Sequence, residues 1–114
     1  MNVSYYAIPG LNLQTRRKFA SAEERAKDIV SYISLIKQLS ISQLKEKNRK
    51  REIVYARQLC MFFIKEKTSM YLTGIGKLFG KDHTTVIHAV QTIKDLVYSD
   101  PRVRTEIDEL RNRL

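Results

Sequence analysis

Residues Gly80-Lys81-Asp82-His83-Thr84-Thr85-Val86-Ile87-His88-Ala89-Val90-Gln91 hold the most chemical promise in this chain. Asp82, His83, Thr84 and Thr85 are short groups that between them give and take hydrogen bonds, which is what reading base edges in a DNA groove requires. Behind them Val86, Ala89, Val90, Ile93, Leu96 and Val97 recur at helical period as one apolar stripe. The stripe anchors one face in a core and leaves the polar tip outside. The pattern predicts a recognition helix that begins near His83, with Asp82 as its N-cap.

Other chemistries fail on spacing. Between Gly74 and Gly80 lie five residues, Asp82 follows Lys81, and no strand precedes. A Walker loop needs four residues between its glycines and Ser or Thr after the lysine, so nucleotide binding is rejected. His83 and His88 stand five apart, off the i, i+3 or i, i+4 spacing of paired metal ligands on one helix face, and no third ligand clusters with them. Asp82, His83, Thr84 and Thr85 are consecutive and point in different directions, so they cannot form a nucleophile–base–orienter set. No enzymatic activity, cofactor or metal is expected.

The elements that must position this tip read as helices throughout. Ser21 and Glu24 form a capping-box pattern, opening a helix to about Leu39 with Ile29, Tyr32, Ile33 and Ile36 on its apolar side. A short helix is expected at Ser42 to Glu46, with Ile41 as its staple. Lys45, Lys47, Arg49, Lys50, Arg51 and Arg57 then face only Glu46 and Glu52, the densest basic block of the chain. The block leads into Ile53 to Ile64, apolar on every side from Leu59 onward, which marks a buried central helix. Its ends, Arg57 and Gln58 on one side and Lys65 and Lys67 on the other, are expected to reach the surface. A shorter helix over about 70–79 carries Leu72, Ile75 and Phe79. Gly76 within it costs about 1 kcal/mol relative to alanine, which close approach of the next helix would compensate. Gly80 is the turn, and a last amphipathic helix spans 102–113 with Val103, Ile107 and Leu110. The expectation is an all-α bundle of five to six helices in one domain, residues 21–114, after an irregular segment, residues 1–20. That segment holds a turn signal at Ile8-Pro9-Gly10-Leu11 and a basic run at Arg16-Arg17-Lys18.

At 114 residues the chain suits one domain with a proper core. Its 21 Lys and Arg against 12 Asp and Glu give a net charge of +9, which suits a polyanionic partner. A membrane surface is the weaker choice, because the basic residues do not line one amphipathic, aromatic-rich helix. No apolar run approaches the roughly 18 residues of a membrane span. The lone Cys60 excludes an internal disulfide and sits in an apolar run as a buried thiol. A cytoplasmic, nucleoid-associated protein is expected.

Lys81-Asp-His-Thr-Thr-Val-Ile-His-Ala89 resembles the signature of the C-terminal DNA-binding domain of the DnaA family, bacterial replication initiators. The likeness runs back through Leu72-Thr-Gly-Ile-Gly76, Ala56-Arg57-Gln58 and the basic block around Arg49, over roughly residues 22–98. It implies a helix-turn-helix that binds an AT-rich nine-base-pair box in duplex DNA, with other replication proteins as further partners. By position, Asp82, His83, Thr84 and Thr85 would enter the major groove beside Leu72 and Thr73. Arg49 would reach the adjacent minor groove, and Arg57, Gln58, Lys65 and Lys81 would hold phosphates.

This chain departs from the family in three ways. The turn before Lys81 is one residue shorter. Thr73 and Ala56 replace prolines common there, and the ATPase module is missing. With its Met1 start, the chain is read as a stand-alone DNA-binding domain, an excised one being the alternative. The expected function is sequence-specific DNA binding in replication initiation or its regulation. The rivals are a small transcription regulator and a protein-interaction module that docks an acidic partner.

Overall fold

A computed structural model describes residues 20–114. The turn signal at Ile8–Leu11 and the basic run at Arg16–Lys18 lie outside the described residues. Six α-helices and no strand occur among the described residues: α1 (Ala22–Lys37), α2 (Ile41–Lys45), α3 (Arg51–Lys67), α4 (Leu72–Leu78), α5 (His83–Ser99) and α6 (Pro101–Arg113).

Each boundary has a local cause. The Ser21 side chain accepts from the Glu24 amide at 3.1 Å, and Glu23 and Glu24 sit where the helix dipole favours negative charge. α1 ends at Gln38, whose left-handed backbone (φ 56°) lets its amide and that of Leu39 return to the Leu35 and Ser34 carbonyls. α1 therefore stops slightly before the expected Leu39. α2 opens on a full capping box, with the Gln43 amide on Ser40 Oγ and the Ser40 amide on Gln43 Oε1. It begins one residue sooner than the expected Ser42. Asp100 caps α6, with Pro101 at its first position, where a missing N–H costs nothing.

The core forms around α3. Ile53, Ala56 and the run Leu59 to Ile64 are all buried, and helices α1, α2, α4 and α5 pack on it from several sides. Cys60 is fully buried there, and burial pushes its thiol pKa up. From α1 come Ala26, Ile29, Val30 and Ile33, whereas Ile36 is exposed. That corrects the apolar side expected for this helix, which rotates by using Ala26 and Val30. From α5 come Val86, Ala89 and Ile93, with Val90, Leu96 and Val97 packed half-buried at the edge. Ile107, Leu110 and Leu114 of the last segment close the bundle. Two polar bridges tie α6 down: Glu106 accepts from the Tyr55 hydroxyl and pairs with Lys37, while Arg111 grips Glu66 through two bonds of 2.8 and 2.9 Å.

The α4–α5 crossing is a helix-turn-helix, and Gly76 sets its closeness. The Lys81 amide returns to the Gly76 carbonyl at 2.9 Å, folding the turn back on α4. A Cβ on Gly76 would lie 2.4 Å from the Lys81 carbonyl oxygen and 3.1 Å from that of Asp82. The close approach expected from sequence is real, and the atoms involved belong to the turn. Gly80 takes the left-handed conformation (φ 64°) in open space.

These two glycines should respond differently to alanine. Gly76→Ala forces backbone apart and is expected to cost about 2 kcal/mol or more, as overpacking does. Gly80→Ala meets no atom and should cost only about 1 kcal/mol for a left-handed residue with a Cβ. Urea unfolding of both variants checks the order. Equal, small losses would mean that the crossing does not depend on the missing Cβ.

Candidate nucleic-acid interface

The solvent-facing tip of α5 is built by its cap. Asp82 Oδ1 accepts the Thr85 amide at 2.9 Å and the Thr85 hydroxyl at 3.0 Å. One carboxylate thus ends the turn, starts the helix and fixes the Thr85 rotamer. His83 and Thr84, between them, are exposed and point outward from the first turn. Thr73, at the start of α4, is exposed too, while Leu72 is half-buried against the core. Lys81 is half-buried beside the tip. The tip offers donors and acceptors on a rigid frame, the requirement for reading base edges.

Gln58 on α3 links this tip to the basic block. It lines one hollow with Val54, Arg57, Met61, Thr85, His88 and Ala89, and a larger groove with Arg49, Arg51, Tyr55, Leu96 and Asp100. Lys65 lies seven residues further along α3, on the same helical face, and is exposed. Arg49 is exposed in the loop before α3, with Lys45, Lys47, Lys50 and Arg51 exposed around it. The structure therefore gathers the exposed tip, Gln58 and the Arg49 loop along one side of α3.

Arg57 is the exception and needs correction. Expected at the surface, it is only 7% exposed. Its Nε donates to the Leu44 carbonyl at 2.7 Å, and one Nη donates to the Glu46 carbonyl at 2.8 Å and to that of Asn48 at 3.5 Å. Residue 57 falls on the side of α3 that faces α2, so a long cation there meets carbonyls that the end of α2 leaves without intrahelical partners. Nothing in the local sequence distinguishes it from its basic neighbours.

Two exposed residues were missed. His88 stands four residues after Thr84 and lines the hollow with Gln58, and Ile87 is 45% exposed on the same helix. The helical spacing from Thr84 was the signal that could have found His88. Among the described residues, no group of three or more His, Cys, Asp or Glu side chains could hold a metal ion. No described helix is long and apolar enough to cross a membrane.

Comparison with known proteins matches residues 26–93 to the family described as bacterial dnaA protein helix-turn-helix. The chromosomal replication initiator protein DnaA of Flavobacterium psychrophilum is 42% identical over 78 residues, 68% of this chain and 16% of the relative. That of Chloroflexus aurantiacus is 36% identical over 109 residues, 95% of this chain and 22% of the relative. That of Levilactobacillus brevis is 44% identical over 77 residues, 67% of this chain and 17% of the relative. The chain spans 16 to 22% of the length of these three relatives.

The cap predicts a pH dependence. The Thr85 amide, and after it the Thr85 hydroxyl, hold the Asp82 carboxyl below the ordinary carboxylate range. A depressed folded-state pKa gives stability that is fully present above the unfolded value of about 3.9 and is lost as pH falls through the folded one. Asparagine caps nearly as well as aspartate, so Asp82→Asn isolates the charge. The gap in thermal midpoint between wild type and this variant should be constant at neutral pH and should close in acid, below about pH 3.9. A gap that ignores pH would mean the carboxylate charge is not engaged by the cap.

Proposed function

The chain belongs to the bacterial DnaA helix-turn-helix family, and from that premise we propose that it binds double-stranded DNA sequence-specifically, at an AT-rich nine-base-pair box, without enzymatic activity of its own. The observation that carries this reading is the exposed, capped tip of α5 with an exposed basic loop on the same side of the molecule. His83, Thr84 and the free valences of Asp82 and Thr85 read the major groove, with Thr73 and the edge of Leu72 beside them. Arg49 enters the neighbouring minor groove, where a narrow AT-rich stretch concentrates negative potential. Gln58, Lys65 and Lys81 hold phosphates, which sets register without carrying sequence information.

The task at the box is occupancy: the domain competes with, recruits or regulates an initiator in replication initiation, and it resides on the nucleoid. The shorter turn before Lys81 changes how α5 is presented, and with it the preferred box. Capture of genomic fragments by the protein, followed by sequencing, tests the reading. Enrichment of one nine-base-pair motif supports it, and random recovery sinks it.

Two measurements sharpen the assignment. His83→Ala should lose about 1–3 kcal/mol of discrimination between matched and mismatched duplexes, with stability nearly unchanged. Equal loss on both duplexes would remove His83 from base reading. Raising salt should weaken binding with a log–log slope of roughly −5, as about six phosphate contacts displace condensed counterions. A nearly flat dependence would leave the basic surface without a phosphate footprint.

A further inference from the structure

We propose that Arg57 is a positioning residue for DNA recognition: its buried guanidinium ties the end of α2 and the following basic loop to α3, and so fixes where Arg49 is presented. The inference rests on the reading that Arg49 enters a minor groove. Lys45, Lys47, Arg49, Lys50 and Arg51 are exposed and crowded into seven positions with Glu46 as the only acidic residue. Left to itself, such a segment opens by mutual repulsion and offers Arg49 over many positions. Binding would then have to supply the ordering, and affinity would fall.

The bonds oppose that opening at the right peptide groups. α2 ends at Lys45, and the carbonyls of Leu44 and Glu46 are among those a helix C-terminus leaves without intrahelical partners. Arg57 supplies donors to both, at 2.7 and 2.8 Å, with a longer bond of 3.5 Å to the Asn48 carbonyl. A rigid fork places its N–H donors on separate nitrogens and so spans carbonyls of different residues in a fixed geometry, a reach that the compact ammonium of lysine lacks. The loop adds its own ties. The Asn48 amide donates to the Glu46 carbonyl at 2.9 Å, and Asn48 Oδ1 accepts the Lys50 amide at 2.8 Å. The Asn48 carbonyl and the Lys50 amide belong to the two peptide units that flank Arg49. Both are held, one by Arg57 and the other by Asn48, while the Arg49 side chain stays exposed.

A direct phosphate contact by Arg57 makes a different prediction, so the two are separable. Affinities of wild type, Arg49→Ala, Arg57→Lys and Asn48→Ala are measured at one fixed salt concentration, on a cognate box flanked by AT-rich or GC-rich sequence. Trypsin cleavage after Lys47, Arg49 and Lys50 is followed in the free proteins. Wild type should prefer the AT-rich flank, and Arg49→Ala should abolish the preference. Arg57→Lys and Asn48→Ala should each bring the ratio of the two affinities toward about one, since insertion into a narrow groove is what is lost. Both should also speed cleavage in the loop.

Equal loss by Arg57→Lys on the two flanks, with cleavage unchanged, overturns the positioning role. Should Arg57→Lys not fold, Asn48→Ala decides, because Asn48 lies in the loop and outside the buried core; a retained flank preference there overturns the proposal. If wild type and Arg49→Ala show the same flank preference, the minor-groove reading itself fails and this inference falls with it.

Discussion

Burial of the Leu59–Ile64 stretch of α3 on every side is the constraint from which the rest follows. A helix that is apolar all round cannot stay in water, so its neighbours must enclose it. Leu59, Cys60, Met61, Phe62, Phe63 and Ile64 have no solvent-facing alternative, and each surrounding helix gives up one apolar stripe to them. Phe62 and Phe63 meet edge to face with centroids 5.1 Å apart, as the aromatic quadrupoles prefer. Helix α5 is held because Val86, Ala89 and Ile93 are part of this enclosure. Its polar tip is rigid for the same reason that its stripe is buried.

The second constraint is electrostatic. A net charge of +9 on 114 residues opposes compaction, and the strongest local repulsion lies in the loop before α3. The fold answers with short-range bonds and few acidic partners there. Burying Arg57 would be costly without partners. The carbonyls at the end of α2 supply them, at the end of a helix where the dipole is negative. Further away, ion pairs between Lys37 and Glu106 and between Arg111 and Glu66 fasten α6. Such half-exposed pairs contribute little each, so apolar contacts of Ile107, Leu110 and Leu114 carry most of the attachment.

The working end combines a rigid frame with exposed polar groups, and the two come from one motif. Asp82 closes the turn and caps α5, so the residue that starts the helix also orders the first side chains along it. Gly76 lets the turn press on α4 at a distance no side chain would permit. The geometry of the tip therefore depends on backbone contacts, which sequence changes at His83 or Thr84 leave intact.

What the sequence by itself determined was local. Ser21 and Asp82 as caps, Gly80 as the turn and the apolar period of α5 depend on residues within one or two turns of each other, so short-range pattern suffices. The all-helical class and the buried centre followed from the same periodicities. Tertiary structure decided the rest. Arg57 looked like any other residue of the basic block, yet its partner Leu44 lies 13 positions away, and only the packing of α2 on α3 brings them together. Ile36 kept helical spacing with Ile29 and Ile33 but ended exposed, because α1 packs through the face that carries Ala26, Ile29, Val30 and Ile33. Whether a side chain on a helix meets solvent or a neighbour depends on where that neighbour sits, and hydrophobic period alone does not encode the neighbour's position.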